Sequence, residues 1–314
     1  MGSRLDITLM QLESFIAAAS CESISAAAEQ LHTSQSNLSV AVANLERRLG
    51  VELLVRRRSK GVGVTPAGRD LLVRARAIVE ASRELEDAAR GGREELEGDL
   101  QVGCHLPLTS FYVPGLIAGV RDRAPGVRPS IREGNQDELQ QAVHDGELDL
   151  ALVYDQSLPT RLRFHRFASV WPYAIVAPGT AIAARGTTSL AELSTLTMVN
   201  YEAVYAAGRS HELFRSAGLP LPAEIRARSL DSVRALVAAD LGFSILNQRW
   251  GTNLTADGAE VVPVELTDRV SPMGIGVLTR RSALSAKTAL AIEILRAHAV
   301  HRHPEHDPLG EPLA

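Results

Sequence analysis

A run of small polar side chains, Ser34, Gln35, Ser36, Asn37 and Ser39, is followed by Arg47 and then by Arg56, Arg57, Arg58 and Lys60. The hydroxyls and carboxamides of the first group donate and accept hydrogen bonds, which matches base edges and phosphate oxygens. The second group supplies fixed positive charge. Between Glu46 and Lys60 stand six Lys/Arg and two Asp/Glu, a local charge of +4 in a chain whose formal net charge is -4. A basic patch on an acidic body is the distribution that phosphate neutralisation needs. A solvated charged turn is the plainer reading of such a run, and the elements around it decide between the two.

Other chemistry is less well supported by spacing. Cys104 and His105 are adjacent, but neighbours on a strand point to opposite faces, so a thiol-imidazole pair is disfavoured and Cys104 reads as a buried apolar residue. His298, His301, His303 and His306 cluster near the end of the chain. That spacing admits a metal, but a solvated tail is the favoured reading. Gly61-Val62-Gly63 lacks the later glycine of a dinucleotide loop. No catalytic triad, metal cluster or nucleotide loop is legible, so the expectation is no enzyme, no cofactor and no metal.

The elements that must position the polar run read as helices. Thr8 and Gln11 match a capping box, and Leu9, Leu12, Ile16 and Ala19 recur at helical spacing. Ser25 is the expected cap of a short helix over residues 26–31. His32-Thr33-Ser34 makes a tight connection to a third helix over residues 35–49, ended by Gly50. Its apolar stripe, Leu38, Val42, Leu45 and Leu49, leaves Ser36, Val40, Ala43 and Arg47 outward. Val40 and Ala43 are unusual on an exposed face; they contact thymine methyl groups or are tolerated surface. Two short helices, a turn and a longer helix make a helix-turn-helix whose third helix fits the major groove. Residues 51–64 read as a β-hairpin wing with a glycine-rich tip.

Thr65 and Pro66 open a long helix over residues 66–93. Leu71, Ala75, Ile78, Ser82 and Leu85 alternate at four and three residues, a coiled-coil seam that would pair two copies. Packing against the chain's own remaining part is the other reading. From Gly98 onward short apolar runs alternate with helical patterns, as in an α/β domain. Expected strands lie at residues 100–104, 128–133, 148–154, 173–177, 198–200, 225–228, 243–246 and 274–278. Open α/β sheets bind ligands beyond their C-terminal strand ends. Those ends supply His105, Leu106, Pro107, Asn135, Gln136, Tyr154, Asn200, Tyr201 and Asn247. Thr109 opens the first helix of this region, where a carboxylate-bearing metabolite would be attracted.

The ordered series Leu9-Met10-Gln11-Leu12, Ser25-Ala26-Ala27-Ala28, Leu31, Ser34-Gln35-Ser36, Ser39, Leu45-Glu46, Leu49-Gly50, Leu53, Arg56 and Thr65-Pro66-Ala67-Gly68 resembles the LysR-type transcriptional regulators. Val40-Ala41 and Leu54-Val55 depart from the family's usual residues. The likeness continues through residues 103–114, 128–134, 146–153 and 236–244, with Asp240 and Asn247 departing from the family's usual Gly and Pro. It implies a two-lobed effector domain of the type 2 periplasmic-binding-protein fold and a homodimer or homotetramer. The family's peroxide sensors use two effector-domain cysteines; Cys21 lies in the DNA-binding part, so that mechanism is disfavoured here.

The 314 residues, 45% of them hydrophobic, suffice for several domains with ordinary cores. The two cysteines suit a reducing compartment, and no apolar run is long enough for a membrane span. The resulting expectation is an α/β multi-domain cytoplasmic protein. It comprises a winged helix-turn-helix (6–65), a linker helix (66–93), an effector domain (98–300) and a tail (301–314). Lobe I of the effector domain takes residues 98–168 and 271–300, and lobe II takes 169–270. Its expected partners are double-stranded DNA, a small-molecule effector, a second copy of itself and the transcription machinery. A solute-binding protein or a cleft enzyme is the alternative.

Overall fold

The computed structural model describes residues 6–21, 23–57, 61–89, 96–201, 207–281 and 284–302. The chain divides into two compact units, Met1–Leu96 with His144–Glu147, and Glu97–Val143 with Leu148–Ala314.

The first unit runs α1 (Leu9–Cys21), α2 (Ile24–Gln30), α3 (Gln35–Leu49), β1 (Leu54–Arg57), β2 (Gly61–Val64) and α4 (Pro66–Ala89). The capping box closes as expected: Thr8 N donates to Gln11 Oε1 at 3.0 Å, and Gln11 N to Thr8 Oγ1 at 3.3 Å. The cap of α2 is Ser23 rather than Ser25. Ser23 is extended (φ -150°) and accepts from Ala26 N, whereas Ser25 lies inside the helix. Gly50 ends α3 in the left-handed region at φ 70°, where a side chain would be strained. Phe15, Ala18, Leu38, Leu45 and Leu53 are buried together at the centre of the module. Gly68 is fixed by a close approach: a Cβ there would stand 2.2 Å from the Leu53 carbonyl oxygen.

The seam expected along α4 is divided. Ala75 is buried in the module's core and Leu71 packs against it, whereas Ile78 and Leu85 are exposed. The cause is α1, which lies along the first half of α4 and covers that part of its apolar stripe.

The second unit begins β3 (Glu97–His105), α5 (Thr109–Arg123), β4 (Gly126–Gly134), α6 (Gln136–His144), β5 (Leu150–Tyr154) and β6 (Leu162–Val170). After Val170 the chain enters a second sheet. It runs β7 (Tyr173–Val176), α7 (Ala181–Arg185), β8 (Thr187–Thr188), α8 (Leu190–Leu193), β9 (Thr197–Tyr201), α9 (Ala207–Ser216), β10 (Ala223–Ala227), α10 (Leu230–Ala238), β11 (Ser244–Leu246) and β12 (Val262–Leu266). It then returns with β13 (Met273–Arg280) and α11 (Ala286–Arg302).

The first lobe is a five-stranded sheet, β4-β3-β5-β13-β6, in which β13 runs antiparallel to both neighbours. The second has β11-β7-β12-β8, extended by the β10-β9 pair through a bridge from Met198 to Phe243. Side-chain alternation builds both of its cores. Ala174 and Val176 enter one cluster, while Tyr173 and Ile175 enter the other. Of these strands, β6, β8 and β12 have no counterpart in the strand pattern read from the sequence. In β6, Arg163, His165 and Arg166 interrupt the apolar run, and β8 is two residues long.

Candidate DNA interface and effector cavity

Leu38, Ala41, Val42 and Leu45 turn one face of α3 into the core. The opposite face presents Ser36, Val40, Ala43 and Arg47, all exposed and aligned at successive turns. Val40 is 58% exposed, which leaves its apolar surface available to a partner. Ser34 caps the helix by accepting from Asn37 N at 3.1 Å, and its Oγ lies 2.9 Å from Ser36 Oγ. Gln35 and Asn37 are exposed beside them, and Ser39 is half-buried. Arg47 lies along α3 and donates to Asn44 Oδ1 at 2.9 Å.

The Glu46 carboxylate ties α3 to the hairpin, accepting from Leu53 N at 2.8 Å and Leu54 N at 3.1 Å. Arg56 and Arg57 lie on β1, paired with Val62 and Gly61. Arg58 and Lys60 lie outside the described residues.

In the second unit the C-terminal ends of β3, β4, β5, β9 and β11 converge on a cavity of about 270 Å³. It is lined by His105, Pro107, Asn135, Gln136, Tyr154, Asn200, Tyr201 and Asn247 from the strand ends expected to do so. Leu106 and Thr109 do not line it. Residues 106–108 form one tight 3-10 turn, which leaves Leu106 on the surface and buries Leu108. Sequence reasoning missed Asp137, Gln156, Ser157, Ser210, Leu230, Gln248, Trp250 and Met273 among the lining residues. Ser157 carries one further signal only after folding, a left-handed φ of 47° at the cavity wall.

Polar groups of the wall are held by hydrogen bonds. His105 is buried and its Nδ1 lies 3.3 Å from the Gly134 carbonyl, which accepts only, so that nitrogen carries the proton. Burial lowers its pKa from the ordinary value, against the opposing effects of that bond and of Asp137. Gln136 ties the start of α6 to the end of β5, accepting from Tyr154 N at 3.3 Å and donating to the Gln156 carbonyl at 2.5 Å. Buried Asn200 donates to Glu224 Oε1 at 2.9 Å. Gln248 Nε2 faces the Tyr154 hydroxyl at 3.5 Å, and its Oε1 has no partner. Burial raises the pKa of Tyr154 strongly, so the phenol stays protonated.

Trp250 is clamped from two sides. The Arg234 guanidinium stands 4.4 Å over its ring while donating to the carbonyls of Thr252 and Leu254 at 2.9 and 2.8 Å. Phe111 meets it edge to face.

Cys104 is fully buried, and burial pushes its thiol up to about 12. It does not pair with His105; its Sγ lies 3.7 Å from the His105 carbonyl instead. His298 Nε2 donates to the Phe111 carbonyl at 2.8 Å, packing α11 on α5. His303 and His306 lie outside the described residues. Among the described residues no cluster of three or more His, Cys, Asp or Glu is placed to hold a metal, and no helix is long and apolar enough to cross a membrane.

Residues 9–69 match the family model described as the bacterial regulatory helix-turn-helix protein, lysR family, and residues 93–300 match the LysR substrate binding domain. The chain belongs to the LysR family of transcriptional regulators. As such it is a DNA-binding transcription regulator modulated by a small-molecule effector in its substrate-binding domain. It is 30% identical over 248 residues to a probable hydrogen peroxide-inducible genes activator of Mycobacterium leprae, covering 77% of this chain and 78% of the relative. The solved LysR regulator HinK of Pseudomonas aeruginosa is 30% identical, covering 94% of this chain and 99% of its own, with a TM-score of 0.62. A full-length OxyR variant, also of Pseudomonas aeruginosa, shares the fold at a TM-score of 0.77. It is 22% identical, with coverage of 93% of this chain and 97% of its own.

Proposed function

We propose that α3 of this LysR regulator enters the DNA major groove with Gln35, Ser36, Val40, Ala43 and Arg47 toward base edges. Ser34, Asn37 and Ser39 then lie near the backbone. The carrying observation is the exposed stripe of Ser36, Val40, Ala43 and Arg47 on α3, opposite a buried one. Arg56, Arg57, Arg58 and Lys60 of the hairpin neutralise phosphates. Two copies pair through the exposed part of α4, with Ile78, Ser82 and Leu85 at the seam. The recognition helices then address half-sites about 34 Å apart, or a multiple of that.

The effector occupies the cavity between the sheets, and the protein catalyses no reaction and works in the cytoplasm without a cofactor. The relatives' description raises thiol oxidation as a second reading. Two observations oppose it: Cys104 is the sole cysteine of residues 97–300, and burial keeps its thiol protonated. Footprints on genomic fragments selected by the purified chain test the proposal, repeated with Arg47→Ala and after hydrogen peroxide treatment. Protected paired half-sites that Arg47→Ala weakens and peroxide leaves alone are expected. A peroxide-dependent footprint abolished by Cys104→Ser would instead establish the thiol reading.

A further inference from the structure

The cavity wall is built for a particular kind of molecule. Among its described lining residues there is no Lys or Arg, and the one formal charge is the carboxylate of Asp137. Helix N-termini can replace cations in holding an anion. Those of α6, α9 and α10 reach the wall through Gln136, Ser210 and Leu230; the first turn of α9 carries no acid, while those of α6 and α10 already carry Asp137 with Glu138, and Asp231. These carboxylates oppose the helix dipoles on the spot. An anion entering here would lose its hydration beside the Asp137 carboxylate and gain no cationic side chain among the described lining residues.

What the wall does offer is uncharged hydrogen-bonding groups, the hydroxyls of Ser157, Ser210 and Tyr201 together with acceptors. Gln248 is 4% exposed, and its Oε1 has no partner. His105 holds its proton on Nδ1, toward Gly134, which leaves Nε2 as a bare acceptor. Asn247 adds a carboxamide, and Trp250, fixed by Arg234 and Phe111, adds a flat apolar wall.

We infer that the effector is a small organic molecule without negative charge, bearing hydrogen-bond donors for Gln248 and His105 and a flat or apolar face for Trp250. Hydroxyl and amino compounds both meet that description, whereas carboxylates and phosphates do not. Oε1 of Gln248, unpaired and closed to the cavity in the free protein, gains a partner when a donor on the ligand turns the carboxamide toward it. The inference rests on the cavity being the effector site.

The test uses the full chain and a bacterial metabolite extract split on a strong anion exchanger. The probes are the flow-through, which holds neutral and cationic molecules, and the retained anions. Each is added in a thermal melt, in which a ligand of the native state raises Tm. Resolving the active flow-through on a cation exchanger then separates hydroxyl from amino compounds. The flow-through is expected to raise Tm and the retained fraction to leave it unchanged. Gln248→Met, or Gln248→Leu should the first not fold, needs about tenfold more flow-through for the same rise.

Leu230→Trp and Asn247→Trp fill the cavity. A rise with the flow-through that survives in both overturns the cavity as the site. A rise with the retained fraction alone, lost on filling, leaves the cavity standing and overturns the charge inference. No rise with either fraction overturns it as well.

Discussion

Phe111 on α5 meets the edge of Trp250 with ring centroids 5.5 Å apart and planes at 84°. The first belongs to the five-stranded lobe and the second to the loop after β11, so the pair joins the two lobes at the cavity wall. Tyr154 of the first lobe and Gln248 of the second meet at the same cavity, Gln248 Nε2 facing the phenol at 3.5 Å. A molecule that touches Trp250 and Gln248 therefore touches both sides of the junction, and its binding energy differs between arrangements of the lobes. Phe111→Leu should weaken effector binding by about 2- to 10-fold, the worth of an edge-to-face pair. It should reduce the effector's influence on DNA binding while leaving effector-free DNA affinity intact. Titration calorimetry and gel shifts on the same preparation separate the two.

Arg234 acts on the cavity through its neighbours. It donates to two carbonyls of residues 252–254 and stacks on Trp250. Arg234→Met keeps the length but leaves those carbonyls without their donor. The expected cost is about 2–3 kcal/mol in urea unfolding, together with a red shift in Trp emission. Arg234→Lys should recover only part of this, because an ammonium cannot reach both carbonyls in one plane.

Gly68→Ala should destabilise the first unit by about 1–3 kcal/mol, because its methyl group meets the Leu53 carbonyl oxygen. Gly251→Ala, where a Cβ meets nothing within 4 Å, serves as the control. Denaturant midpoints of the two variants compare them directly.

Cys104 predicts an alkaline dependence of stability. Its native thiol titrates near 12, against an ordinary value of 9.0, because burial penalises the thiolate. Above about pH 9 the unfolded chain releases this proton while the native chain keeps it. Stability is therefore full below pH 9 and falls toward pH 12. Cys104→Ala should flatten that slope in unfolding measurements between pH 8 and 10.5. A thiol reagent should label Cys104 slowly at pH 7.5, at the rate of transient opening.

The features legible in the sequence are those in which local chemistry has no competitor. Thr8 and Gln11 close a capping box because nothing nearby offers a better one. The periodicity of Leu38, Val42 and Leu45 orients α3 without help from tertiary structure. Ser23 and Ser25 are equal candidates by type, and only the extended backbone at Ser23 chooses between them. On α4 a single stripe serves two surfaces. Leu71 and Ala75 are taken by α1 and the core, a division that periodicity alone does not reveal. At the cavity, polar residues following strands are visible as a group. Gln248 and Trp250 come from a loop whose path depends on Arg234, fourteen residues before Gln248 in sequence, and no local pattern signals that.

The most direct test is a footprint of the wild-type chain and Arg47→Ala on one selected genomic site, at two salt concentrations, with and without the active metabolite fraction. Two half-sites separated by whole helical turns and weakened by salt are expected. Arg47→Ala should weaken them further, and the fraction should change the pattern in the wild type but not in Leu230→Trp. A footprint insensitive to Arg47→Ala, or one that responds to the fraction equally in Leu230→Trp, would contradict it.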